Sequence, residues 1–315
     1  MTEIRDLPIG TELEGVIVRT YGLHFDVETE AGLLRCTLRG LLKRERVKTD
    51  PAAVGDRVIA TVQSVETDPP EGAIEHVKPR TRTLSRLARG SEDSEQVIVA
   101  NPDQLLAVFA IRKPRPSPRM IDRFLLIAEA RELPAIVCFN KVDLAKSEDQ
   151  LRELSERFES AGYPVLVTSA ETGVGIDELR RLLDGKITVF AGPSGVGKST
   201  LLNALAPDIA TRTGEISGHT GKGRHTTTWT QLFQIGPDTY LADTPGMRQL
   251  GLWGVDFDVL DEYFPEFRPY IGECQFTDCR HLQEPGCAVL EALEAGKIHP
   301  DRHDSYRALL EGGDS

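Results

Sequence analysis

Long hydrophobic runs are absent from this chain of 315 residues: no segment approaches the roughly eighteen consecutive apolar residues of a membrane-spanning helix. The first ten residues, MTEIRDLPIG, contain neither a basic region nor an apolar stretch, so we expect no secretory signal. Aromatic residues make up only 6% of the chain, but 40% hydrophobic and 27% charged residues are ordinary for a globular protein. We therefore expect a cytoplasmic protein of two or three domains without membrane contact.

Cysteine is also scarce, and its distribution argues against a disulfide framework. The five cysteines comprise two isolated residues and a group of three near the carboxyl end: Cys36, Cys138, Cys274, Cys279 and Cys287. Crowded cysteines in a chain without a secretory signal indicate a metal site.

Basic residues are outnumbered, with 37 Lys and Arg against 49 Asp and Glu, for a formal net charge of −12. That charge argues against a nucleic-acid partner, but it is unevenly spread. Residues 251–315 carry a net charge of −9, whereas residues 35–48 carry +5, and residues 78–89 contain five basic residues and no acidic one. Because local charge sets a phosphate-binding surface, RNA remains a possible partner.

Residues 1–90 show the alternation of apolar and polar residues that is typical of β-strands, interrupted by glycines at turns. About five short strands in ninety residues predict a small closed barrel, which we interpret as an OB-fold RNA-binding domain. An SH3-like barrel would produce a similar pattern. The basic residues Arg35, Arg39, Lys43, Arg44 and Arg46 would form an RNA-binding groove on one side of the barrel, or a solvated edge. Residues 78–89 would be a further RNA contact or a hinge.

From about residue 91 to residue 250 the pattern changes to strands alternating with helices. QLLAVFAI, PAIVCFN, PVLVTSA and ITVFAG read as strands, and amphipathic segments such as SEDQLRELSERFESAG lie between them. This alternation predicts a parallel sheet covered by helices, as in P-loop α/β domains. Residues 251–315 lack it and read as an irregular, helix-containing third domain.

The sequence GPSGVGKST follows the strand ITVFAG and begins a helix, which is the setting of a phosphate-binding P-loop. Backbone N–H groups of such a loop surround the phosphates, Lys198 would neutralise the β- and γ-phosphates, and Ser199 would bind Mg²⁺. The nucleotide-binding residues predicted here are Gly192, Pro193, Ser194, Gly195, Val196, Gly197, Lys198, Ser199 and Thr200.

A P-loop does not identify the base, and this one also resembles that of guanylate kinases. NKVD at 140–143 favours a GTPase, because the Asp143 carboxylate would accept hydrogen bonds from guanine N1–H and its exocyclic amine, both of which adenine lacks. Asn140 would face the guanine O6 and N7 atoms, and the Lys141 stem would lie along the base. Ser169 and Ala170, in TSA at 168–170, would place a backbone N–H behind the guanine carbonyl. Both loops follow strands, where ligands of open α/β sheets bind.

DTPG at 243–246 follows another strand and is similar to the DxxG element of GTPases. Asp243 would reach Mg²⁺ through water, and the Gly246 N–H would contact the γ-phosphate. A threonine among residues 226–228 should also bind Mg²⁺, and we favour Thr227.

The residue directly after DTPG is Met247, which cannot orient the attacking water as a glutamine does in Ras-like enzymes. The nearest suitable group is His225, in the polar, glycine-rich segment SGHTGKGRHTTT. A lone histidine can equally be structural. If His225 is catalytic, turnover should be slow and should depend on a partner that orders this segment.

Cys274, Cys279, His281 and Cys287 place four soft ligands within fourteen residues. Three cysteines and one histidine make a closed tetrahedral set for one structural Zn²⁺ ion, with no open position for catalysis. Reduced thiols beside a surface histidine are the alternative. A small acidic domain with few large apolar residues would gain folding free energy from the metal.

NKVD, TSA, GPSGVGKST, GRHTTT, DTPG and CQFTDCRHLQEPGCAV, in this order, resemble the ribosome small subunit-dependent GTPase A family, RsgA, over nearly the whole chain. The resemblance implies three domains: an OB-fold at 1–90, a circularly permuted GTPase domain at 91–250 and a zinc domain at 251–315. It implies slow hydrolysis of GTP to GDP, stimulated by the small ribosomal subunit, and a role in late maturation of that subunit, with His225 as the proposed catalytic residue. We expect a monomer that contacts ribosomal RNA.

Because of the permutation, the DTPG element leads directly into the predicted zinc domain. The half of the GTPase domain that contains NKVD and TSA is joined to the barrel instead. We therefore expect nucleotide state to be coupled to the position of the zinc domain and to its hold on ribosomal RNA. Two other functions remain open, a nucleoside monophosphate kinase and an RNA-binding scaffold with a decayed nucleotide site. The kinase would leave NKVD unexplained, and intact Lys198, Ser199, Asp143 and Asp243 argue against decay.

Overall fold

The computed structural model of the chain describes residues 3–40, 49–87, 95–207, 230–243 and 254–312. It divides into two compact units, each of which combines segments that are far apart in the sequence. The first contains Met1–Asp103, Leu183–Phe190 and Ile209–Trp253. The second contains Gln104–Leu182, Ala191–Asp208 and Gly254–Ser315.

A closed five-stranded barrel forms the amino-terminal part of the first unit. Its strands are β1 (Glu12–Tyr21), β2 (His24–Thr29), β3 (Gly32–Leu38), β4 (Arg57–Ser64) and β5 (Glu71–Val77). They pair in the order β1-β2-β3-β5-β4, and β4 pairs again with β1 to close the barrel. Only the β3–β5 pairing is parallel. This is OB-fold topology, as the sequence predicts.

Alternating side chains of these strands fill the barrel. The interior includes Ile17, Val27, Leu34, Val58 and Ile74, all fully buried. The period of two that places these residues inside is the same period that identified the strands in the sequence.

A hairpin and three further strands complete the sheets of the first unit. The hairpin joins β6 (Thr83–Leu87) to β7 (Glu95–Ala100). Strand β12 (Gln231–Gly236) pairs antiparallel with β1 through Arg19 and Gln231 and continues to β13 (Thr239–Asp243). Strand β13 is parallel to β11 (Ile187–Ala191).

The second unit is built on a parallel sheet in the order β10-β9-β8, formed by β8 (Gln104–Ala110), β9 (Ala135–Asn140) and β10 (Val165–Val167). All residues of β8 and β9 are buried, as expected for central strands covered on both faces. The helices of this part are α1 (Pro118–Glu129), α2 (Glu148–Glu159), α3 (Ile176–Leu183) and α4 (Lys198–Leu205). The alternating α/β arrangement predicted from the sequence is confirmed.

The carboxyl-terminal residues of the second unit are irregular, with two short 3-10 helices at Phe257–Tyr263 and Arg268–Tyr270. Two helices follow, α5 (Ala288–Glu294) and α6 (Pro300–Leu310). Phe264, Phe267 and Tyr306 pack against one another with ring centroids 5.1–5.4 Å apart. This aromatic cluster is the core of the region.

An ion network joins the carboxyl-terminal region to α1 and α2 within the second unit. Asp122 of α1 accepts hydrogen bonds from Arg157 of α2 at 2.7 Å and from Arg302 of α6 at 2.6 Å. Arg302 also binds both carboxylate oxygens of Glu266, at 2.6 and 3.0 Å. The side chains of Asp122, Arg157, Arg302 and Glu266 are at most 4% exposed.

Across the part of the chain that the structure describes, no helix is both long enough and apolar enough to cross a membrane.

Candidate functional site

The loop after β9 carries the carboxylate predicted to read guanine. Asp143 is exposed, and its Oδ1 accepts a hydrogen bond from the Ser169 hydroxyl at 2.5 Å. Ser169 in turn accepts from the Thr172 N–H at 3.2 Å and is itself fully buried. The structure therefore brings NKVD and TSA together, with Ser169 orienting the carboxylate.

Asn140 connects three of the predicted nucleotide segments. It is 1% exposed, its amide Nδ2 donates to the Val196 carbonyl at 2.9 Å, and its Oδ1 accepts from the Thr168 hydroxyl at 3.1 Å. Both polar ends of the Asn140 amide are thus bonded to protein. A contact of Asn140 with guanine stays a prediction, while the observed bonds show how it holds NKVD, TSA and the P-loop in register.

Lys141 has a left-handed backbone conformation, with φ of 61°, which turns its side chain back across the P-loop. Its Nζ donates to the Gly195 carbonyl at 2.5 Å and to the Lys113 carbonyl at 2.9 Å. The stem of Lys141 therefore lies between the loop after β8 and the P-loop.

Two glycines of the P-loop have conformations and neighbours that exclude a side chain. At Gly192, with φ of 145°, a Cβ atom would overlap the Val108 carbonyl oxygen. At Gly197, with φ of 97°, a Cβ atom would overlap the Asn140 amide nitrogen. The P-loop therefore needs glycine at both positions, for backbone conformation and for close approach.

Lys198 begins helix α4, and its Nζ donates to the carbonyls of Gly192 and Pro193 at 2.7 and 2.9 Å. These bonds hold the ammonium group over the P-loop, where the sequence predicts the β- and γ-phosphates. Ser199 and Thr200 follow on the exposed first turn of α4, and Ser194 and Gly195 are exposed at the tip of the loop. The exposed P-loop residues and the Asp143 carboxylate are accessible to a ligand.

Several predicted residues cannot be placed relative to this site. His225, Thr227, Gly246 and Met247 lie outside the described residues. Asp243 ends β13, where its backbone is in register with Phe190 of β11, and its side chain is not described. Their roles stay predictions.

The predicted zinc ligands come together in the carboxyl-terminal region. The ligand atoms of Cys274, Cys279, His281 and Cys287 all lie within 4.8 Å of one another. The Nδ1 atom of His281 is 3.4–3.6 Å from the three sulfur atoms, and the sulfurs of Cys274 and Cys287 are 3.9 Å apart.

Zinc–ligand bonds of about 2.3 Å to sulfur and about 2.0 Å to nitrogen at tetrahedral angles require S···S separations of about 3.8 Å and N···S separations of about 3.6 Å. The three N···S separations and the Cys274–Cys287 separation match these values, and the remaining pairs lie within 4.8 Å, so the cluster could hold one zinc ion. A bound Zn²⁺ with four protein ligands would cross-link this region without taking part in hydrolysis.

The surroundings of His281 fix its ring. Its Nε2 atom lies 3.3 Å from a carboxylate oxygen of Asp261, the kind of outer partner that orients histidine ligands of metals. His303 donates from its Nε2 to the His281 carbonyl at 2.7 Å, and Phe267 and Tyr306 pack against the ring.

The Glu284 carboxylate organises the loop that carries His281. It accepts hydrogen bonds from the backbone N–H groups of Arg280, Leu282 and Gln283 at 2.8–3.0 Å. Burial acts to raise the pKa of Glu284, but these backbone hydrogen bonds outweigh it and lower the pKa to about 2. Glu284 is therefore ionised at neutral pH and stabilises the loop between the ligands.

The predicted RNA-binding residues of the barrel are only partly described. Arg35 pairs with Asp26 at 3.3 Å, and Arg39 pairs with Glu75. Lys43, Arg44, Arg46 and Lys48 lie outside the described residues.

In the second basic segment, Arg80 binds the fully buried Asp56 through two hydrogen bonds, at 2.7 and 2.8 Å. Arg80 therefore serves the barrel's own structure.

Sequence reasoning missed four contributors to these sites. They are the Ser169 hydroxyl, predicted only as a backbone contact, together with Thr168, Asp261 and Glu284. Thr168 and Ser169 could have been found from their place in TSA. Asp261 lies twenty residues before His281, and no local pattern links the two.

The comparison with known protein families supports the resemblance found in the sequence. Residues 77–253 match the family described as RsgA GTPase, and residues 14–68 match the RsgA N-terminal domain. The chain is 44% identical over 302 residues to a protein of Gemmatimonas aurantiaca named Small ribosomal subunit biogenesis GTPase RsgA. That similarity covers 95% of this chain and 97% of the relative. A protein of the same name from Moorella thermoacetica is 41% identical, with coverage of 95% and 96%.

Solved structures are similar over the same extent. The crystal structure of YjeQ from Thermotoga maritima has a TM-score of 0.75 and 35% identity, over 96% of this chain and 99% of that one. The structure of YloQ, described as a circularly permuted GTPase, has a TM-score of 0.73 and 29% identity, over 96% and 95%. With NKVD ahead of the P-loop in the sequence and a fold shared with these structures, the chain belongs to the RsgA family of circularly permuted GTPases and is a GTP hydrolase.

Proposed function

We propose that this GTPase acts in late maturation of the small ribosomal subunit, hydrolysing GTP slowly alone and faster on the subunit. The observation that carries this proposal is that relatives named for small-subunit biogenesis align with about 95% of the chain at 41–44% identity. Such a role places the protein in the cytoplasm, as a monomer that contacts ribosomal RNA.

The Asp143 carboxylate selects guanine, and the Ser169 hydroxyl orients this carboxylate. The backbone of Ser169 and Ala170 contacts the guanine carbonyl. This assignment is supported by the exposure of Asp143 and by its short bond to Ser169. A carboxylate has about four acceptor positions, so one bond to Ser169 leaves room for both guanine donors. ATP would leave the same carboxylate without those partners.

The triphosphate is bound by the P-loop, residues 192–200. Lys198 supports this role, since its Nζ already lies against the loop carbonyls that would flank the phosphates. Ser199, Thr227 and Asp243 are the residues that would hold Mg²⁺, directly or through water, and Gly246 would contact the γ-phosphate. The metal would neutralise the charge that develops on the phosphate oxygens.

Hydrolysis needs a group that orients water, and Met247 cannot supply it. We assign this role to His225. In this proposal the subunit stimulates hydrolysis by placing the His225 side chain beside the γ-phosphate.

The domain limits that we propose are 1–90 for the OB-fold, 91–250 for the GTPase domain and 251–315 for the zinc domain. Nucleotide state changes the position of the zinc domain and with it the hold on ribosomal RNA. Support comes from the ion network of Asp122, Arg157 and Arg302. This network attaches the carboxyl-terminal region that contains the predicted zinc ligands, which we call the zinc region, to α1 and α2, the helices before and after β9. A displacement of α1 and α2 during the nucleotide cycle would therefore move the zinc region as well.

The test is GTP turnover by the full-length protein with and without purified small ribosomal subunits, for wild type, His225→Ala and Lys198→Ala. We expect stimulation by subunits in wild type, loss of turnover with retained GTP binding in His225→Ala, and loss of GTP binding in Lys198→Ala. Absence of stimulation in wild type would contradict the proposed function, and normal stimulated turnover in His225→Ala would contradict the role of the histidine.

A further inference from the structure

The segment that leads from β8 into the first residues of α1 has the sequence RKPRPSPR, residues 112–119, and we call it the basic loop. From residue 104 to residue 121 the chain contains four basic residues and no acidic one, in a protein with net charge −12. All four basic side chains are exposed: Arg112, Lys113, Arg115 and Arg119. The basic loop is thus a concentrated positive surface on an acidic protein.

No described acidic residue pairs with any of these four side chains, in contrast to three other exposed arginines of the same unit. Arg152 pairs with Asp149 at 2.6 Å, Arg268 with Glu129 at 2.6 Å, and Arg307 with Asp304 at 3.0 Å. In the described barrel, Arg35 and Arg39 are also paired. The positive charge of the basic loop is therefore available to an external anion.

Three prolines restrict the backbone of the basic loop, namely Pro114, Pro116 and Pro118. Proline fixes φ, disfavours helical conformation in the residue before it and removes an N–H donor. The segment therefore cannot add a strand to a partner's sheet. It presents side chains from a stiff backbone, so less conformational entropy is lost when those side chains bind.

The basic loop also touches the guanine-nucleotide site. The Lys113 carbonyl accepts a hydrogen bond from the Nζ of Lys141. The same Nζ also donates to the Gly195 carbonyl of the P-loop. The ring of Pro114 faces Gly195, with its Cδ 3.9 Å from where a Cβ of residue 195 would lie. A ligand that shifts the basic loop would thus shift the partners of Lys141.

We propose that the basic loop binds the phosphate backbone of RNA, and that this contact changes guanine-nucleotide affinity through the Lys113–Lys141–Gly195 hydrogen bonds. The proposal rests on the proposed function, which supplies a partner rich in RNA. Four exposed cations without a described acidic partner, on a stiff segment whose apolar residues are only prolines, fit a polyphosphate chain and offer no large hydrophobic anchor for a protein interface.

Coupling between the two sites is reciprocal: RNA bound at the basic loop must change nucleotide affinity by the same factor by which nucleotide changes RNA affinity. The variant Arg112→Gln/Arg115→Gln removes two charges from the basic loop and leaves the Lys113 carbonyl in place. The matched control, Arg152→Gln/Arg307→Gln, removes two exposed charges from helices of the same unit.

The experiment measures binding of full-length proteins to purified small ribosomal subunits over a range of salt concentrations, with GDP and with a non-hydrolysable GTP analogue. We expect the basic-loop variant to bind about ten-fold more weakly, and its slope of log K against log salt to fall by about two. We also expect the subunit affinity of the basic-loop variant to differ less between GDP and the GTP analogue than that of wild type, so that the ratio of the two affinities moves toward one. The control should match wild type in all three quantities, and nucleotide affinity without subunits should be unchanged in both variants.

Equal subunit affinity and salt slope in the basic-loop variant and wild type would overturn the RNA contact. An unchanged ratio between the two nucleotides would overturn the coupling. Weaker nucleotide binding without subunits would overturn the proposal by showing that the loop serves the nucleotide itself. Failure of wild type to bind subunits at all is a separate result, which would overturn the proposed function.

Discussion

The Ser169 hydroxyl donates to the Asp143 carboxylate at 2.5 Å, and this bond sets the orientation of the group that we propose reads guanine. Asp143 lies in the loop after β9, and Ser169 lies in the loop after β10. Because the two strands are parallel neighbours, their carboxyl ends bring the loops together. The proposed base recognition therefore depends on the register of the sheet as well as on NKVD itself.

Ser169→Ala should weaken GTP binding about five-fold, because a net contribution of about 1 kcal/mol is typical of one such hydrogen bond. The preference for GTP over ATP should remain, because the acceptor is still present. Asp143→Asn should remove that preference, because an amide presents a donor to the guanine N1–H. Titration of both variants with fluorescent GTP and ATP analogues checks this, and wild-type GTP affinity in Ser169→Ala would contradict the orienting role.

Gly197→Ala should abolish most GTP binding, because its Cβ would displace the Asn140 amide that ties the P-loop to NKVD. Gly162→Ala is the matched control, since Gly162 has a similar φ of 89° but open space around it. Both substitutions carry the strain of a left-handed alanine, about 1 kcal/mol or more, and only Gly197→Ala adds the overlap. If nucleotide titrations show the same small loss in both variants, the overlap with Asn140 has no role in binding.

Local patterns in the sequence were sufficient for most elements and for the motifs. QLLAVFAI corresponds to β8, whose residues are all buried, and its apolar run is typical of a central parallel strand. The amphipathic segment SEDQLRELSERFESAG contains α2, and Ser147 caps this helix by accepting a hydrogen bond from the Gln150 N–H at 3.3 Å. The four zinc ligands were predicted because soft ligands close in sequence are rarely far apart in space.

Contacts between distant segments could not be predicted in this way. The pairing of β1 with β12 joins Arg19 to Gln231, and no local pattern encodes such a partner. Likewise, Asp122, Arg157 and Arg302 lie far apart in the sequence, yet they are buried together. Their burial depends on how three helices pack, which single-helix periodicity does not determine.

Glu284→Gln should lower the melting temperature and speed the loss of zinc to a chelator at neutral pH, because the amide would turn one N–H group toward backbone donors. The pKa of Glu284 is lowered to about 2 by the backbone hydrogen bonds, against the effect of burial. The carboxylate therefore stabilises the folded state above its unfolded pKa of about 4.3, and this contribution is lost as pH falls from there toward about 2.

The difference between Glu284→Gln and wild type should thus be constant from about pH 8 to about pH 5. Glu273→Gln is the control, an exposed glutamate one residue before Cys274. Thermal unfolding and zinc release to a chromogenic chelator measure both effects. Equal zinc-release rates in the two variants would argue against a role of Glu284 in holding the ligand loop.

Asp122→Ala should destabilise the protein by about 3–5 kcal/mol, because it leaves the buried guanidinium groups of Arg157 and Arg302 without a shared counter-charge. Burial acts to lower the pKa of Arg302, but the charges of Asp122 and Glu266 outweigh it and raise the pKa, so Arg302 stays charged and cannot relieve the loss by deprotonation. The matched control is Asp149→Ala, which breaks an exposed pair with Arg152 and should cost about 0.5 kcal/mol or less.

Urea unfolding gives both free energies, and hydrogen exchange should show faster opening of α6 in Asp122→Ala, because α6 is attached to α1 through Arg302. The double variant Asp122→Ala/Arg157→Met should recover part of the loss, since it removes one of the unpaired charges. Equal destabilisation in Asp122→Ala and Asp149→Ala would mean that the network does not hold the zinc region to the GTPase helices. The zinc region would then be free to move independently of the guanine-reading loops, and the proposed coupling of nucleotide state to its position would need another route.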